Sequence, residues 1–270
     1  MNIRNVFIVT KPKQADVASV AEELEAWFKK KGIKATLEPE AASSADLTVV
    51  VGGDGTLLSA ARLLGDRQVP IVAINFGGLG YMTEVTREEM YSALEGVLSG
   101  HFVTEERMMM DVRLLRESHA SASYRALNDV VITKARGISR MIELEAHVDG
   151  QYLSCFRADG LIVATPTGST AYNLSAGGPI IYPTMSAMVV TPICSHTLTN
   201  RPIVLSENVK IGFVLRSAHD DVYVTVDGQV GVQLQMGDHL AVEKSSVTVK
   251  LVAPADKNYF DVLRGKLKWG

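Results

Sequence analysis

An apolar run leads directly into a glycine-rich acidic turn in the first third of the chain, and together they restrict the fold more than any other segment. Residues 46–51 form the run, and the turn at residues 52–56, Gly-Gly-Asp-Gly-Thr, follows at once. A continuous apolar run is typical of a strand that is covered on both faces, as in parallel sheets flanked by helices. A helix is predicted over residues 56–64 and a second buried strand over residues 71–74. We therefore expect a parallel α/β sheet.

The neighbouring segments complete the pattern of an α/β domain. The first ten residues predict a strand, residues 17–28 an amphipathic helix, and residues 33–37 another strand. Thr86 and Glu89 have the spacing of a capping box, in which each side chain bonds the other's backbone amide. This box predicts a helix that ends near residue 100. We place the α/β domain over residues 1–100.

From about residue 102 the chain changes to short runs that favour strands. These runs cover residues 112–115, 129–133, 142–148, 161–163, 209–215, 222–226 and 247–252. Turn-forming pairs such as Asp149-Gly150 and Asp227-Gly228 separate some of them. We predict a β-rich, antiparallel domain over residues 101–254. Residues 255–270 are again helix-like, and we expect them to return and pack on the first domain.

Charge and cysteine content exclude several classes of protein. A net charge of −3 and a pI near 6.1 provide no basic footprint for nucleic acid. Cys155 and Cys194 lie at no metal-ligand spacing, so neither a disulfide framework nor a zinc site is indicated. No apolar stretch approaches the roughly 18 residues that a membrane-spanning helix needs. We expect a cytoplasmic protein with no nucleic-acid or membrane partner.

The acidic turn combines two chemical features. Its glycines let a phosphate approach the backbone, and amides at the start of the following helix can stabilise an anion. Asp54 adds a carboxylate, which a simple phosphate cradle would avoid, and this points to acid/base chemistry beside a phosphate. The alternative from local chemistry is a tight turn with Asp54 as the helix N-cap.

Two better-known nucleotide motifs do not fit this turn. Residues 52–58 lack the lysine of a P-loop and the third glycine of the dinucleotide fingerprint, which disfavours a dehydrogenase. A second glycine cluster, residues 75–80, also follows a predicted strand and also misses the fingerprint. We expect it to form a second wall of the same cleft.

Several segments occur in an order that is characteristic of one enzyme family. Residues 52–56 match a signature shared by NAD kinases, diacylglycerol and sphingosine kinases and, more loosely, phosphofructokinases. Residues 165–179, TPTGSTAYNLSAGGP, resemble the long motif of the NAD kinases. Asn128-Asp129, residues 157–160 and residues 227–229 also fall in the order that family shows. The chain therefore resembles an NAD kinase over nearly its whole length.

This resemblance implies a kinase that phosphorylates the 2′-hydroxyl of the adenosine ribose of NAD to give NADP. It implies ATP or polyphosphate as the phosphoryl donor, a divalent metal such as Mg²⁺, and a homodimer or homotetramer. No carboxylate cluster identifies ligands for the metal in the chain, so we expect the donor's phosphates to hold it.

The resemblance also implies the residues of the site. Asp54 is the implied general base. Asp129 stands where the family more often has glutamate, which shortens the reach of the carboxylate. The implied substrate-binding residues are Asp54, Gly55, Phe76, Asn128, Asp129, Arg140, Arg157, Asp159, Thr170, Ala171, Tyr172, Asn173, Leu174, Ser175 and Gln229.

Local chemistry alone leaves alternatives open for several of these residues. Residues 167–170 open a predicted helix, where amides and hydroxyls can either bind ribose or phosphate oxygens or simply cap the helix. Tyr172 could stack on a base or be a buried structural tyrosine, and Phe76 has the same ambiguity. Arg157 and Asp159 could hold each other on one strand face or bind substrate.

Other local alternatives concern a loop, a histidine and the activity itself. Asn128-Asp129 could merely end a loop. His196 has no visible partner and is interpreted as structural. Two other functions also remain open: a lipid kinase with the same turn, and a non-catalytic dinucleotide sensor.

Overall fold

The computed structural model describes residues 3–11, 15–78, 80–117, 119–134, 141–217, 221–253 and 258–269. The chain divides into two compact units, of which the first comprises Met1–Glu106 with Val249–Gly270 and the second Arg107–Thr248. The domain limits near residues 100 and 254 stay a prediction.

The regular elements alternate between strands and helices at first and are mostly strands later. In chain order they are β1 Asn5–Thr10, α1 Ala15–Lys30, β2 Lys34–Thr36, β3 Leu47–Gly52, α2 Asp54–Leu64, β4 Ile71–Asn75, α3 Met90–Leu98, β5 Val103–Arg116, β6 His119–Ala126, β7 Asp129–Lys134, β8 Ile142–Val148, β9 Gln151–Ala158, β10 Gly160–Ala164, α4 Tyr172–Ser175, β11 Ala187–Ile193, β12 Ile203–Ser206, β13 Ile211–Leu215, β14 Val222–Val226, β15 Val230–Gln233, β16 His239–Ala253 and α5 Tyr259–Leu267. Short 3-10 helices cover Pro39–Ser43 and Thr167–Thr170.

The first unit is built on a parallel sheet with the strand order β2–β1–β3–β4. The end of β16 joins this sheet in parallel, where Leu251 pairs with Ile71. Every residue of β3 is buried, as expected for a strand covered on both faces. The predicted α/β sheet is therefore confirmed, and its acidic turn lies at the carboxyl end of β3.

Helices of the first unit bury one apolar face each. α1 packs Val20, Leu24 and Phe28 into the same core as Val49 of β3. The capping box before α3 is present, because the Thr86 amide donates to Glu89 Oε2 (2.9 Å) and the Glu89 amide donates to Thr86 Oγ1 (3.3 Å). A turn over residues 87–89 follows Thr86, so the α-helix itself begins only at Met90.

The chain ends in the predicted helix, which belongs to the first unit. Asn258 caps α5: its side chain accepts from the amides of Phe260 and Asp261, and the Asp261 side chain bonds the Asn258 amide in return. Val262 and Leu263 are the buried residues of this helix. Among the described residues, no helix has both the length and the apolar character needed to cross a membrane.

The second unit consists of antiparallel sheets, as predicted. One sheet has the order β12–β11–β10–β7–β14–β15. The other contains β9, β8, β13 and the first part of β16, and β5 pairs with β6 beside it. Side chains from both sheets share one core, which includes Phe156, Val163, Phe213 and Val224.

Strand register in this unit brings three distant motifs to one end of neighbouring strands. Ala164 at the end of β10 pairs with Asp129 at the start of β7, and Val226 at the end of β14 pairs with Val130. The segments that follow β10 and β14 therefore adjoin the Asn128-Asp129 pair.

Candidate active site

Asp54 is the first residue of α2 and is not its N-cap. Gly53 takes the cap position and the helix has no side-chain cap, so the capping alternative is wrong. The carboxylate is instead an acceptor for a segment that lies more than 25 residues further along the chain. Asp54 therefore ties the acidic turn to the loop that follows β4.

The two oxygens of the Asp54 carboxylate have different environments. Oδ1 accepts from the amides of Met82 (3.0 Å) and Thr83 (3.2 Å) and from Thr83 Oγ1 (3.3 Å). Oδ2 accepts only from the Tyr81 amide (2.8 Å) among the hydrogen bonds of the described residues. A carboxylate offers about four lone-pair positions, two on each oxygen. Oδ1 is therefore fully used, whereas Oδ2 retains room for one more donor.

Further contacts fix this loop from behind. Thr83 Oγ1, which donates to Asp54, accepts from Asn75 Nδ2 (3.1 Å), and the same amide donates to the carbonyl oxygens of Gly78 and Thr83. A Cβ on Gly80 would lie 2.4 Å from Asp54 Oδ1 and 2.0 Å from Thr83 Oγ1. Only glycine fits there, because the loop passes too close to the carboxylate for any side chain.

A cationic side chain lies against each of two aromatic rings of this loop, those of Phe76 and Tyr81. The Arg87 guanidinium lies 5.3 Å from the Phe76 ring centre, and Lys266 Nζ of α5 lies 5.4 Å from that of Tyr81. Phe76 and Arg87 line a cavity of about 350 Å³ together with Asn75, Gly77, Thr86 and Glu88. Burial, and then the charge of Asp54, raise the pKa of Tyr81.

In the second unit, Asp227 holds the backbone of the Asn128 segment. Its carboxylate accepts from the amides of Leu127 (2.9 Å), Asn128 (2.7 Å) and Asp129 (3.1 Å). The Asp227 amide donates to the Asp129 carbonyl oxygen in return (2.9 Å). Asn128-Asp129 is therefore a fixed segment at the start of β7 rather than a free loop end.

Asp129 lies in an environment that disfavours the charged form of its carboxyl group. The residue is 5% exposed, and the Asp227 carboxylate lies nearby. Burial first, and then the Asp227 charge, raise the pKa of Asp129 to about 7. The buried environment thus disfavours the charged form of this carboxylate.

The segment after β10 forms a 3-10 turn and then the one-turn helix α4. Two of its side chains are used by the fold itself. Ser169 Oγ donates to the Pro166 carbonyl oxygen and accepts from the Ile181 amide. Asn173 donates to the Ser169 and Pro179 carbonyl oxygens and accepts from Thr191 Oγ1, so its whole amide is engaged.

Two buried oxygens near this turn lack a hydrogen-bond partner among the described residues. They are Asn128 Oδ1 and Thr167 Oγ1. Gly168 packs against the first of these residues so closely that a Cβ there would lie 2.0 Å from the Asn128 carbonyl oxygen. Buried polar atoms normally have partners, so these two oxygens, beside a predicted binding segment, are candidate ligand contacts.

Arg157 and Asp159 do not hold each other. Arg157 Nη2 lies 2.6 Å from Glu143 Oε1, and Asp159 Oδ1 lies 2.7 Å from Lys134 Nζ. Each side chain therefore has its own partner on a neighbouring strand.

The remaining predicted residues differ in exposure. Tyr172 is 46% exposed, so the interpretation as a buried structural tyrosine is wrong. Gly55, Ser175 and Gln229 are exposed, Ala171 and Leu174 are half-buried, and Thr170 is buried with its hydroxyl donating to the Thr167 carbonyl oxygen. Arg140 lies outside the described residues.

Comparison with known proteins identifies the family. A model of the ATP-NAD kinase N-terminal domain matches residues 30–102, and a model of the C-terminal domain matches residues 127–253. The NAD kinase of Geotalea daltonii is 47% identical over 283 aligned residues, covering 99% of both chains. That of Trichlorobacter lovleyi is 52% identical, covering 86% of this chain and 82% of the relative. The chain belongs to the NAD kinase family.

Solved structures of NAD kinases and related enzymes share this fold. Yeast NADH kinase in complex with NADH has a TM-score of 0.90 and 25% identity, covering all of this chain and 88% of that one. An NAD kinase from Archaeoglobus fulgidus in complex with ATP has a TM-score of 0.80 and 26% identity, covering 98% of this chain and all of that one.

A resident metal site is not apparent in this member of the family. Among the described residues, no group of three or more His, Cys, Asp and Glu side chains could hold a metal ion. The one carboxylate of the acidic turn already accepts four hydrogen bonds.

Reasoning from the sequence missed residues that act through contacts between distant segments. Thr83 and Asp227 each help to hold a predicted site residue. The sequence indicated Asp227-Gly228 as a hairpin turn and as part of a family segment, and the hairpin is present, because Asp227 has a φ of 51° between β14 and β15. No local spacing in the sequence indicates that the Asp227 carboxylate also accepts the amides of residues 127–129.

Proposed function

We propose that this NAD kinase transfers the terminal phosphoryl group of ATP to the 2′-hydroxyl of the adenosine ribose of NAD, giving NADP. The observation that carries the assignment of the chemistry is the asymmetry of Asp54. One carboxylate oxygen anchors a loop, and the other has room for a hydroxyl donor. Membership of the NAD kinase family supports the choice of substrate.

In this mechanism Asp54 Oδ2 accepts the proton of the 2′-hydroxyl. The ribose oxygen forms a bond to the γ-phosphorus, the bond from that phosphorus to the β,γ-bridging oxygen breaks, and ADP leaves. A positioned general base contributes about 10²–10⁴-fold to the rate, and the rest comes from alignment and electrostatics. The loop that binds Oδ1 supplies the alignment, because it prevents rotation of the carboxylate.

The second unit contributes the NAD-binding groups in this proposal. Asn128 Oδ1 and Thr167 Oγ1 are acceptors without protein partners and suit an amine or hydroxyl of the nucleotide. Tyr172 offers an exposed ring for a base, and Gln229 an exposed amide. We keep the other predicted contacts as proposals: Gly55, Phe76, Asp129, Arg140, Arg157, Asp159, Thr170, Ala171, Leu174 and Ser175. For Asn173 we propose an indirect role, because its side-chain amide is engaged within the fold.

The metal enters this proposal as part of the donor. ATP carries Mg²⁺ on its phosphates, and the described residues form no carboxylate cluster for a resident ion. Polyphosphate is an alternative donor of the same chemistry. Family resemblance supports a homodimer or homotetramer, and the two free cysteines are compatible with the reducing cytoplasm.

The test is an assay with the purified protein, Mg²⁺, ATP and either NAD or diacylglycerol. NADP is measured by its reduction with an NADP-specific dehydrogenase, and phosphorylated lipid by chromatography. We expect NADP with NAD and no product with the lipid. Lipid phosphorylation without NADP would instead show a lipid kinase, and NAD binding without product would show a sensor.

A further inference from the structure

Three amides of the loop after β4 are not available to bind phosphate. Three consecutive amides, those of Tyr81, Met82 and Thr83, all donate to the Asp54 carboxylate. A loop with free amides can cradle a phosphate, but here a carboxylate already occupies that position. Cationic side chains beside this loop are therefore candidates for binding the donor's phosphate chain.

Two cationic side chains contact this loop within the first unit. Arg87 lies against Phe76, and Lys266 of α5 lies against Tyr81. Among the described residues neither cation forms an ion pair with a carboxylate, and both side chains are exposed. An exposed cation held on an aromatic ring keeps its outer hydrogen-bond donors free for an anion.

Lys266 is the cation that is linked more directly to Asp54. Its ammonium lies on the ring of Tyr81, and the amide of that same tyrosine donates to Asp54 Oδ2 (2.8 Å). Phe76, which holds Arg87, makes no hydrogen bond to the Asp54 carboxylate; its amide donates to the Gly52 carbonyl oxygen. Tyr81 thus contacts Asp54, the proposed base, through its amide and Lys266 through its ring.

We propose that Lys266 binds the phosphate chain of the phosphoryl donor and stabilises the charge that develops on its leaving group. This proposal rests on the proposed function. It assigns a role to the C-terminal helix, whose capping box and buried Val262 and Leu263 position the lysine from the first unit. The ammonium has three donors, of which none is committed to a carboxylate among the described residues.

The alternative is that Lys266 only complements the carbonyl end of the α5 dipole. Lys266 lies in the last turn, where a basic residue stabilises a helix, and Arg264 is placed there too. A dipole role predicts a change in stability without a change in donor binding. A phosphate role predicts the reverse, so kinetics with each substrate varied in turn separates the two.

The experiment compares Lys266→Met with Lys268→Met, a lysine two residues further on at the C-cap of α5. ATP is varied at saturating NAD, and NAD is varied at saturating ATP. Loss of a charge-assisted contact to phosphate is expected to raise the KM for ATP or lower kcat/KM for ATP by about 10- to 100-fold. The KM for NAD is expected to stay within about twofold, because NAD makes no contact with Lys266 in the proposal.

Further variants and conditions keep the result interpretable. Lys266→Arg retains the charge and is expected to recover most of the affinity for ATP. Rising salt should weaken binding of a non-hydrolysable ATP analogue to the wild type more than to Lys266→Met. Salt screens the positive charge of Lys266, which the variant does not have. Circular dichroism and thermal melting monitor folding, and Lys266→Gln replaces Lys266→Met if the latter does not fold.

Unchanged ATP kinetics in a folded Lys266→Met variant would overturn the proposal, as would an equal loss in Lys268→Met. A loss of ATP affinity in Arg87→Met alone would also overturn it, and would assign binding of the donor's phosphates to Arg87. If the wild type forms no NADP yet binds the ATP analogue in a Lys266-dependent way, the proposed function fails and the donor contact stands. If the wild type forms NADP and its ATP kinetics do not depend on Lys266, the proposed function stands and the donor contact fails.

Discussion

The two oxygens of the Asp54 carboxylate accept different numbers of hydrogen bonds, and this leaves Oδ2 open to a further donor. Oδ1 accepts three hydrogen bonds from residues 82 and 83, whereas Oδ2 accepts one from Tyr81. The sequence predicted a carboxylate beside a phosphate site, and it could not predict this division. The partners lie 27–29 residues away, in a glycine-rich loop with no regular spacing relative to Asp54.

Thr83 tests the structural half of this division. Its hydroxyl is buried, donates to Asp54 and accepts from Asn75. Thr83→Val keeps the shape and removes both bonds, so we expect the free energy of unfolding to fall by about 1–3 kcal/mol, with a several-fold loss in kcat. Urea denaturation and steady-state kinetics measure the two effects.

Thr48→Val is the matched control for that variant. Thr48 is equally buried, in β3, and its hydroxyl has no hydrogen-bond partner among the described residues. Removing an unpartnered hydroxyl should leave stability unchanged or raise it. Equal destabilisation by the two variants would show that the Thr83 bonds contribute nothing specific.

Asp129 makes stability depend on pH in a defined direction. In the unfolded chain an aspartate titrates near pH 4, whereas burial and Asp227 raise the pKa of folded Asp129 to about 7. The folded state therefore holds the proton more tightly. The stabilisation from this group is complete below about pH 4 and is lost as the pH rises through about 7.

Asp129→Asn should remove most of that dependence. We expect its free energy of unfolding at pH 8 to exceed that of the wild type by about 2–4 kcal/mol, with a flatter pH profile between pH 5 and 8. Urea denaturation across this range is the measurement. Asp16→Asn, an exposed carboxylate in α1, should follow the wild type; parallel profiles for Asp129→Asn and the wild type would contradict the prediction.

At the scale of elements, both units use one carboxylate to hold three consecutive amides. Asp54 at the start of α2 binds residues 81–83, and Asp227 at the end of β14 binds residues 127–129. In each case a short polar segment between regular elements is fixed by charge-assisted hydrogen bonds, which are stronger than neutral ones. Each segment is therefore held in place by hydrogen bonds although it contains little secondary structure.

Gly168 tests the close packing of the 3-10 turn on the Asn128 segment. A Cβ there would lie 2.0–2.7 Å from three backbone atoms of Asn128, which cannot move aside as a side chain can. Gly168→Ala should lower the free energy of unfolding by about 1–3 kcal/mol and weaken NAD binding by at least about tenfold. Isothermal titration with NAD and urea denaturation measure these effects.

Gly231→Ala, in β15, is the control for this packing argument. The nearest atom to a Cβ at Gly231 is Thr225 Cγ2 at 3.8 Å, which is ordinary contact. This variant should bind NAD like the wild type. NAD binding by Gly168→Ala that equals the control would show that the turn can shift without consequence.

The elements were predictable where the signal is local. The apolar run of β3, the helical spacing of α1 and the capping box at Thr86 each depend on residues within a few positions, and all three appear in the structure. The partners of Arg157 and Asp159 were not predictable, because strand pairing sets them. Glu143 and Lys134 reach them across neighbouring strands.

The change along the sequence, from alternating strands and helices to short strands, predicted the two kinds of architecture. The parallel α/β sheet, the antiparallel β-rich part and the returning helix α5 are all present. Local sequence composition could not reveal that β16 continues from the second unit into the first, where its end pairs with β4. A pairing between segments 180 residues apart has no local signature.

Asp54→Asn tests whether Asp54 Oδ2 receives the proton of the NAD 2′-hydroxyl. The measurement is NADP formation at saturating ATP and NAD, beside the Kd for NAD from isothermal titration. We predict a loss of at least about 10²-fold in kcat with a Kd for NAD within a few-fold of the wild type. Turnover close to that of the wild type would show that Asp54 is not the base, because an asparagine in this position cannot accept the proton.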